Sequence, residues 1–84
     1  MNVRYGNDPF AAIKTPPEVL ENLRRRLMAI ERSTDTLQVH LASERAQGFV
    51  EALDILKVLT PAELDSLYLI FDEASQVRVK ALLL

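Results

Sequence analysis

The stretch from Thr15 to Leu59 decides the fold, and it reads TPPEVLENLRRRLMAIERSTDTLQVHLASERAQGFVEALDILKVL. Its apolar side chains recur in alternating steps of three and four residues, a spacing that keeps them on one narrow stripe of a helix. We name this stripe the first seam; it consists of Leu20, Leu23, Leu27, Ile30 and Leu37. Leu41 continues the spacing, and Thr34 fills its one polar slot. The pattern predicts one long amphipathic helix over about residues 16–58.

The weak point of this helix is the segment Ser33-Thr34-Asp35-Thr36, because all four residues have poor helix propensity. A break there gives three shorter helices, which fold as a compact three-helix bundle. The segment contains neither Gly nor Pro, and the spacing of the first seam continues through it. We therefore expect the continuous helix, with the three-helix bundle as the alternative.

The pattern Thr-Pro-x-Glu marks a helix start twice, at residues 15–18 and at residues 60–63. The Thr hydroxyl accepts from free backbone N–H groups, Pro suits the first helical position, and Glu reaches back to complete a capping box. A turn at Leu59-Thr60 folds a last helix, over about residues 61–82, back along the long one. The sequence thus predicts an all-α helical hairpin in a single domain, residues 15–84, preceded by an N-terminal arm, residues 1–14.

Beyond Leu41 the apolar stripe moves by one position, so the second half of the long helix presents a rotated face. We name this face the second seam; it consists of Val39, Ala42, Ala46, Phe49, Leu53 and Leu56. Gly48 lies beside it among small residues, which predicts close approach by another helix. The last helix reaches back only to about residue 36. We therefore expect it to pack on the second seam.

The first seam has no cover in this arrangement. A stripe of large aliphatic side chains is not left in water on a soluble monomer, and each one that is fully buried contributes about 1.5–3 kcal/mol. We therefore predict that the protein self-associates through Leu20, Leu23, Leu27, Ile30 and Leu37. The result is a coiled-coil-like homodimer or a larger helical bundle, and the sequence leaves parallel and antiparallel order open.

Motifs for catalysis are missing from these 84 residues. The chain has no Gly-rich phosphate loop, no nucleophile motif and no cysteine. The single histidine, His40, stands one turn before Glu44, and two ligands are too few for a zinc site. We expect this pair to face solvent, and we expect no enzymatic activity, no cofactor and no metal.

The net charge of −2 gives no general attraction to nucleic acid or to anionic lipid. The chain shows neither a membrane-spanning run nor a signal-peptide core, so we expect a soluble, cytoplasmic protein without membrane contact. One basic concentration consists of Arg24, Arg25 and Arg26, with Arg32 two turns further on. It suggests an alternative function, a dimeric DNA-binding transcriptional regulator. Three successive arginines fan over about 200° of a helix, however, and cannot all face one groove.

The arm combines turn residues with apolar side chains such as Tyr5 and Phe10. It either lies over the protein's own helices or binds a partner. The run AQGFVEALDILKVLTPAE, residues 46–63, resembles helix-turn-helix hairpins in small accessory proteins of phages and plasmids. This resemblance implies a mobile-element protein that inhibits or modulates a host protein.

Taken together, these features favour a small non-enzymatic protein that binds another macromolecule, with a protein favoured over nucleic acid. The candidate contact residues are Tyr5, Phe10, Arg24, Arg25, Arg26 and Arg32. Aromatic and Arg side chains dominate protein interfaces, which is why these positions are chosen. A sensor with a ligand pocket between subunits is a third possibility without a positive sign in the sequence.

Overall fold

Prolines and capping side chains divide the chain into three helices. The structure is a computed structural model that describes residues 8–84. Helix α1 spans Pro17–Glu31, α2 spans Thr36–Ile55 and α3 spans Pro61–Leu83, and residues 8–84 contain no strand. Each helix packs against the other two, which makes a three-helix bundle. The all-α prediction is confirmed, and the three-helix alternative is the arrangement that the chain adopts.

The prediction of one continuous helix over residues 16–58 is wrong, because the chain turns between α1 and α2. Asp35 is the N-cap of α2, and its carboxylate accepts from the Gln38 backbone N–H at 2.8 Å. The Gln38 side-chain oxygen in turn accepts from the Thr34 backbone N–H at 2.9 Å. The first bond satisfies an N–H group that the start of α2 leaves free, and the second pairs an N–H group of the turn before it.

The turn between α1 and α2 is also held by α3. The Arg78 side chain donates from Nε to the carbonyl oxygen of Ser33 at 2.8 Å. Ser33 itself is buried, and its hydroxyl donates to the carbonyl oxygen of Ala29 at 2.8 Å. The last turns of α3 therefore lie beside the end of α1.

The two Thr-Pro-x-Glu starts behave differently. At α3 the Glu63 backbone N–H donates to the Thr60 hydroxyl at 3.1 Å, and the Thr60 N–H donates to the Glu63 carboxylate at 2.9 Å, which confirms the predicted capping box. At α1 the N-cap is Pro16, which provides no side-chain cap. Pro17 disfavours helical geometry in the residue before it, and Pro16 is extended, with ψ 151°. The helix thus begins one residue too late for Thr15, and the predicted Thr15 cap is wrong.

The core forms where the three helices meet the arm. The Phe10 and Phe71 rings have centroids 6.0 Å apart and are tilted by 47°. The buried apolar side chains are Phe10, Ile13, Leu23, Ile30, Val39, Ala42, Ala46, Val50, Leu53, Leu67 and Phe71. Most of the second seam is therefore interior, as predicted, whereas its last member, Leu56, is exposed.

Helix α2 ends in a Schellman turn. The Lys57 N–H donates to the carbonyl of Asp54 at 3.0 Å, and the Val58 N–H donates to that of Leu53 at 3.4 Å. Lys57 takes φ 60°, the left-handed conformation that usually selects Gly. The turn leaves Leu56 and Val58 exposed at this end of the bundle.

Gly48 lies on the outside of α2. A Cβ placed on it would have no neighbour within 4 Å, so the predicted close approach of another helix at Gly48 is wrong. The buried Ala46 is only two residues away, yet two residues correspond to about 200° around a helix. Gly48 therefore points away from the core that Ala46 enters.

None of the helices within residues 8–84 combines the length and the apolar character needed to cross a bilayer.

Candidate functional site

The first seam is divided between the core and the surface. Leu23 and Ile30 are fully buried, and Leu20 and Leu27 pack partly buried against the same core. Leu37, by contrast, lies on α2 and is 64% exposed. The prediction of a dimer relied on a seam without cover, and α2 and α3 supply that cover within one chain. That reason for self-association through these side chains therefore no longer holds.

The two aromatic residues assigned to partner binding do not form a surface site in residues 8–84. Tyr5 lies outside the described residues. Phe10 is only 1% exposed, because it packs against Phe71 inside the bundle. Of the two interpretations of the arm, its described part, residues 8–14, follows the one in which it lies over the protein's own helices.

Two carboxylates fasten this part of the arm. Asp8 accepts from the Phe10 backbone N–H at 3.1 Å and from the Arg24 guanidinium at 3.0 Å. The hydrogen bond from Phe10, followed by that from Arg24, lowers the pKa of the Asp8 carboxyl. Glu63 accepts from the Lys14 backbone N–H at 3.1 Å while it caps α3. The backbone N–H of Thr60 and then that of Lys14 lower the pKa of Glu63.

The four predicted arginines do not form one patch. Arg24 is paired with Asp8, whereas Arg25 lies 3.9 Å from Glu21 on the open side of α1. Arg26 turns towards α2, where its guanidinium carbon lies 4.6 Å from the centre of the Phe49 ring. Arg32 is exposed at the end of α1. They point in different directions, as their spacing predicts, and this arrangement does not present a common face to a DNA groove.

A different exposed surface, which was not predicted from the sequence, lies along α2. We name it the outer face of α2; it consists of Leu37, Leu41, Gly48, Ala52 and Ile55. All five are exposed, and the three large members retain 64%, 44% and 77% exposure respectively. At 100° per residue these positions fall within about 60° of one another, opposite the buried Ala46 and Val50. Helix α2 is therefore apolar on two opposite sides.

The outer face of α2 has charged borders. Glu44 and Glu51 lie along one edge, and Arg45 lies along the edge nearer to α1. On the same side as Glu44, the His40 Nε2 lies 3.8 Å from the Glu44 carboxylate, with both side chains about two-thirds in solvent. This solvent-facing pair matches the sequence prediction.

Two open grooves run along α3, one beside α1 and one beside α2. The groove between α1 and α3, about 420 Å³, is mainly apolar and is lined by Leu27, Ile70, Ala74 and Val77. The groove between α2 and α3, about 490 Å³, is more polar and includes His40, Ser43, Asp72 and Lys80. Within the described chain, no three His, Asp or Glu side chains are grouped closely enough to hold a metal ion.

Tyr68 is the third residue, after Asp8 and Glu63, whose pKa is shifted from its ordinary value. Burial, together with the nearby charges of Glu51 and Asp54, raises the pKa of its hydroxyl. The Tyr68 hydroxyl therefore stays protonated at neutral pH. The shifted groups of residues 8–84 thus have structural explanations.

Comparison with protein-family models, curated proteins and solved structures found no match for this chain.

The outer face of α2 did have a signal in the sequence. Its members are separated by steps of four, seven, four and three residues, which is a helical period. The signal was obscured because the same helix carries the second seam on its opposite side. Only the break before α2 reveals that Leu37 and Leu41 belong with Ile55, and not with the residues of α1.

Proposed function

We propose that this protein is a non-enzymatic binding module that recognises another protein through the outer face of α2. The observation that carries the proposal is the exposure of Leu37, Leu41 and Ile55 on one side of a helix whose other side is buried. Single exposed aliphatic residues are common, but an apolar stripe with polar borders is typical of an interaction surface.

The shape of the outer face suits a partner helix. Gly48 and Ala52 form its middle, where no large side chain projects from α2, and Leu41 and Ile55 project on either side. Small residues allow two helix backbones to approach closely, while large residues at both ends provide buried area. Full burial of each large aliphatic side chain contributes about 1.5–3 kcal/mol, before the entropic cost of association.

A second copy of the chain is a less suitable occupant of this surface. In an antiparallel pair of α2 helices centred on Gly48, Glu44 of each copy lies beside Glu51 of the other. Two-fold symmetry repeats this contact, so two like-charge pairs border the interface. The repulsion favours a different protein whose charges match these borders, and self-association is not part of the proposal.

The alternative, a DNA-binding regulator, has less support because Arg24 and Arg26 are engaged within the fold.

We place the protein in the cytoplasm, in keeping with a sequence that lacks cysteine. A mobile-element protein that blocks a host protein by occupying its surface is one concrete form of the proposed function.

The test is affinity capture from a lysate of the source organism, with the full chain as bait. The doubly substituted bait L41E/I55E places two charges on the outer face of α2. We expect the unmodified bait to retain a protein, in stoichiometric amount, that the L41E/I55E bait loses.

The matched control is L69E/V77E, which places the same charges on exposed apolar residues of α3. All three baits must show the same helical circular dichroism and a cooperative thermal transition. Retention of the protein by L69E/V77E and its loss with L41E/I55E support the proposal. Equal retention by all three baits, or capture of nucleic acid alone, overturns it.

A further inference from the structure

A small cleft opens where the end of α1 meets the start of α2, beside the outer face of α2. Its volume is about 250 Å³. The residues that line it are Ala29, Arg32, Ser33, Gln38, Leu41, Ala42 and Arg45. Arg32 and Arg45 give it two positive charges, and these lining residues include no carboxylate. Leu41 belongs both to the cleft and to the outer face of α2, so the two surfaces are continuous.

The arginines of this cleft differ from their neighbours in having no ion-pair partner among residues 8–84. Arg24 is paired with Asp8, Arg25 lies 3.9 Å from Glu21, and Arg78 donates to the Ser33 carbonyl. Within residues 8–84, neither the Arg32 nor the Arg45 guanidinium lies within 4 Å of a carboxylate or donates a hydrogen bond. Two guanidinium groups therefore retain their full donor capacity at one opening.

The third donor of the cleft is the side-chain amide of Gln38. Its oxygen accepts from the Thr34 backbone N–H at 2.9 Å and from the Thr34 hydroxyl at 3.1 Å. These bonds fix the amide so that its nitrogen is the end left to donate. The hydroxyl of Ser33 is already directed to the carbonyl of Ala29 at 2.8 Å. The available groups of the cleft are thus donors, which bind an oxyanion.

The size and walls of the cleft restrict the source of that oxyanion. Pockets for free small molecules usually enclose about 300–1,000 Å³, more than is present here. One acidic side chain fits this space, and the aliphatic groups of Ala29 and Leu41 suit apolar neighbours of that side chain. A DNA backbone carries many phosphates, and a chain with a net charge of −2 gives it no general attraction beyond these two arginines.

We infer that the cleft binds a Glu or Asp side chain of an acidic, aliphatic-rich segment of the protein partner, with the carboxylate held between Arg32 and Arg45. The aliphatic residues of that segment then lie on Leu37 and Leu41. The inference rests on the proposed function, because it gives the chemistry of the partner for the same face of the molecule.

The test is a titration of the ¹⁵N-labelled full chain, followed by backbone amide chemical shifts. The probe is the peptide acetyl-Leu-Glu-Glu-Leu-Leu-amide, and the comparison peptide has both Glu residues replaced by Gln. A short DNA duplex is titrated separately. We expect the Glu peptide to shift the amides of Ser33, Gln38 and Leu41, and to bind at least about fivefold more tightly than the Gln peptide.

Substitutions identify the groups responsible. R32Q and R45Q should each weaken binding of the Glu peptide about tenfold, because each removes a charged donor to the carboxylate. R25Q is the matched control, since Arg25 is an exposed arginine of α1 outside the cleft, and it should leave the affinity unchanged. Equal binding of the two peptides, no binding of either, or shifts at the cleft caused by DNA alone overturns the inference.

The capture experiment and the peptide titration can each fail independently of the other. If L41E/I55E abolishes capture of a protein but the Glu peptide does not bind, the proposed function stands and the acidic partner is rejected. If the Glu peptide binds through Arg32 and Arg45 but no protein depends on the outer face of α2, the cleft stands and the proposed function is rejected.

Discussion

At Gly48, substitutions are expected to affect the stability of the fold and the binding of a partner differently. A Cβ at this position has open space around it, and Gly costs helix stability because of its backbone freedom. Gly48→Ala should therefore raise the free energy of unfolding by about 1 kcal/mol, measured as a higher urea midpoint. A lower midpoint would mean that another helix does pack on this position.

A larger residue at the same position tests its role in binding. In Gly48→Leu the added Cβ has open space around it, so the substitution should not destabilise the fold, but the side chain fills the middle of the outer face of α2. We expect it to reduce capture of the partner while thermal stability is retained. The sequence alone supported the opposite role for Gly48, because small neighbours do not reveal which side of the helix faces the core.

At the scale of the helix, the two Thr-Pro-x-Glu starts make a matched pair. Thr60→Ala removes the hydroxyl that accepts from Glu63 and should lower the free energy of unfolding by about 1 kcal/mol. Thr15→Ala removes a hydroxyl that caps nothing, and its effect should lie within about 0.5 kcal/mol. Chemical denaturation of both variants measures the difference. Equal losses would show that Thr15 is a cap as well.

The break between α1 and α2 was predictable only as an alternative, because two local signals disagree there. The spacing of the first seam continues through Thr34, and this continuity favoured one long helix. Asp35, followed three residues later by Gln38, is nevertheless a capping signature of a helix start. Helix propensity alone indicates only that the segment is a poor helix former. Its side chains also form the hydrogen bonds that cap the start of α2 and hold the turn before it.

The arm is the element whose attachment depends on pH. The pKa values of Asp8 and Glu63 are lowered in the folded protein, so both carboxylates stabilise the fold at pH values above their ordinary pKa. This contribution is lost as the pH falls through the lowered values, that is, below about pH 4. We expect the urea midpoint of the wild-type protein to fall steeply over that range.

The control for this prediction is the doubly substituted protein D8N/E63Q, which keeps the side-chain size but removes both charges. It should be less stable than the wild type at about pH 6, and the difference should shrink towards about pH 3, where the wild-type carboxylates are protonated. A difference that stays constant from neutral to acidic pH would contradict the role of these charges in holding the arm.

At the scale of the whole molecule, the sequence identified the apolar residues better than it identified what covers them. Leu23 and Ile30 were expected to be buried, and they are. The residues that bury them belong to α2 and α3. These helices pack on α1 only because the chain turns at residues 32–35. Pairing of distant elements is a tertiary property, and helical periodicity does not encode it. For the same reason, the sequence favoured an arm that lies on the protein's own helices, yet it left Phe10 among the candidate contact residues.

The candidate site follows from that turn as well. With the break in place, Leu37 and Leu41 leave the first seam and join Ile55 on the outside, while Arg32 and Arg45 line the same cleft between α1 and α2. The sequence identified Leu37, as part of the first seam, and Arg32. It did not identify the surface that they share with residues of α2, because that surface exists only after α2 folds back.

The most direct test of the account is the dependence of thermal stability on protein concentration. If the first seam is buried within one chain, the unfolding midpoint does not depend on association, and it should be the same at about 5 μM and about 500 μM. If the seam is buried between copies, mass action raises the midpoint as concentration increases. Calorimetry at both concentrations measures this. A constant midpoint is the result that the three-helix fold predicts, and a rise of several degrees would contradict it.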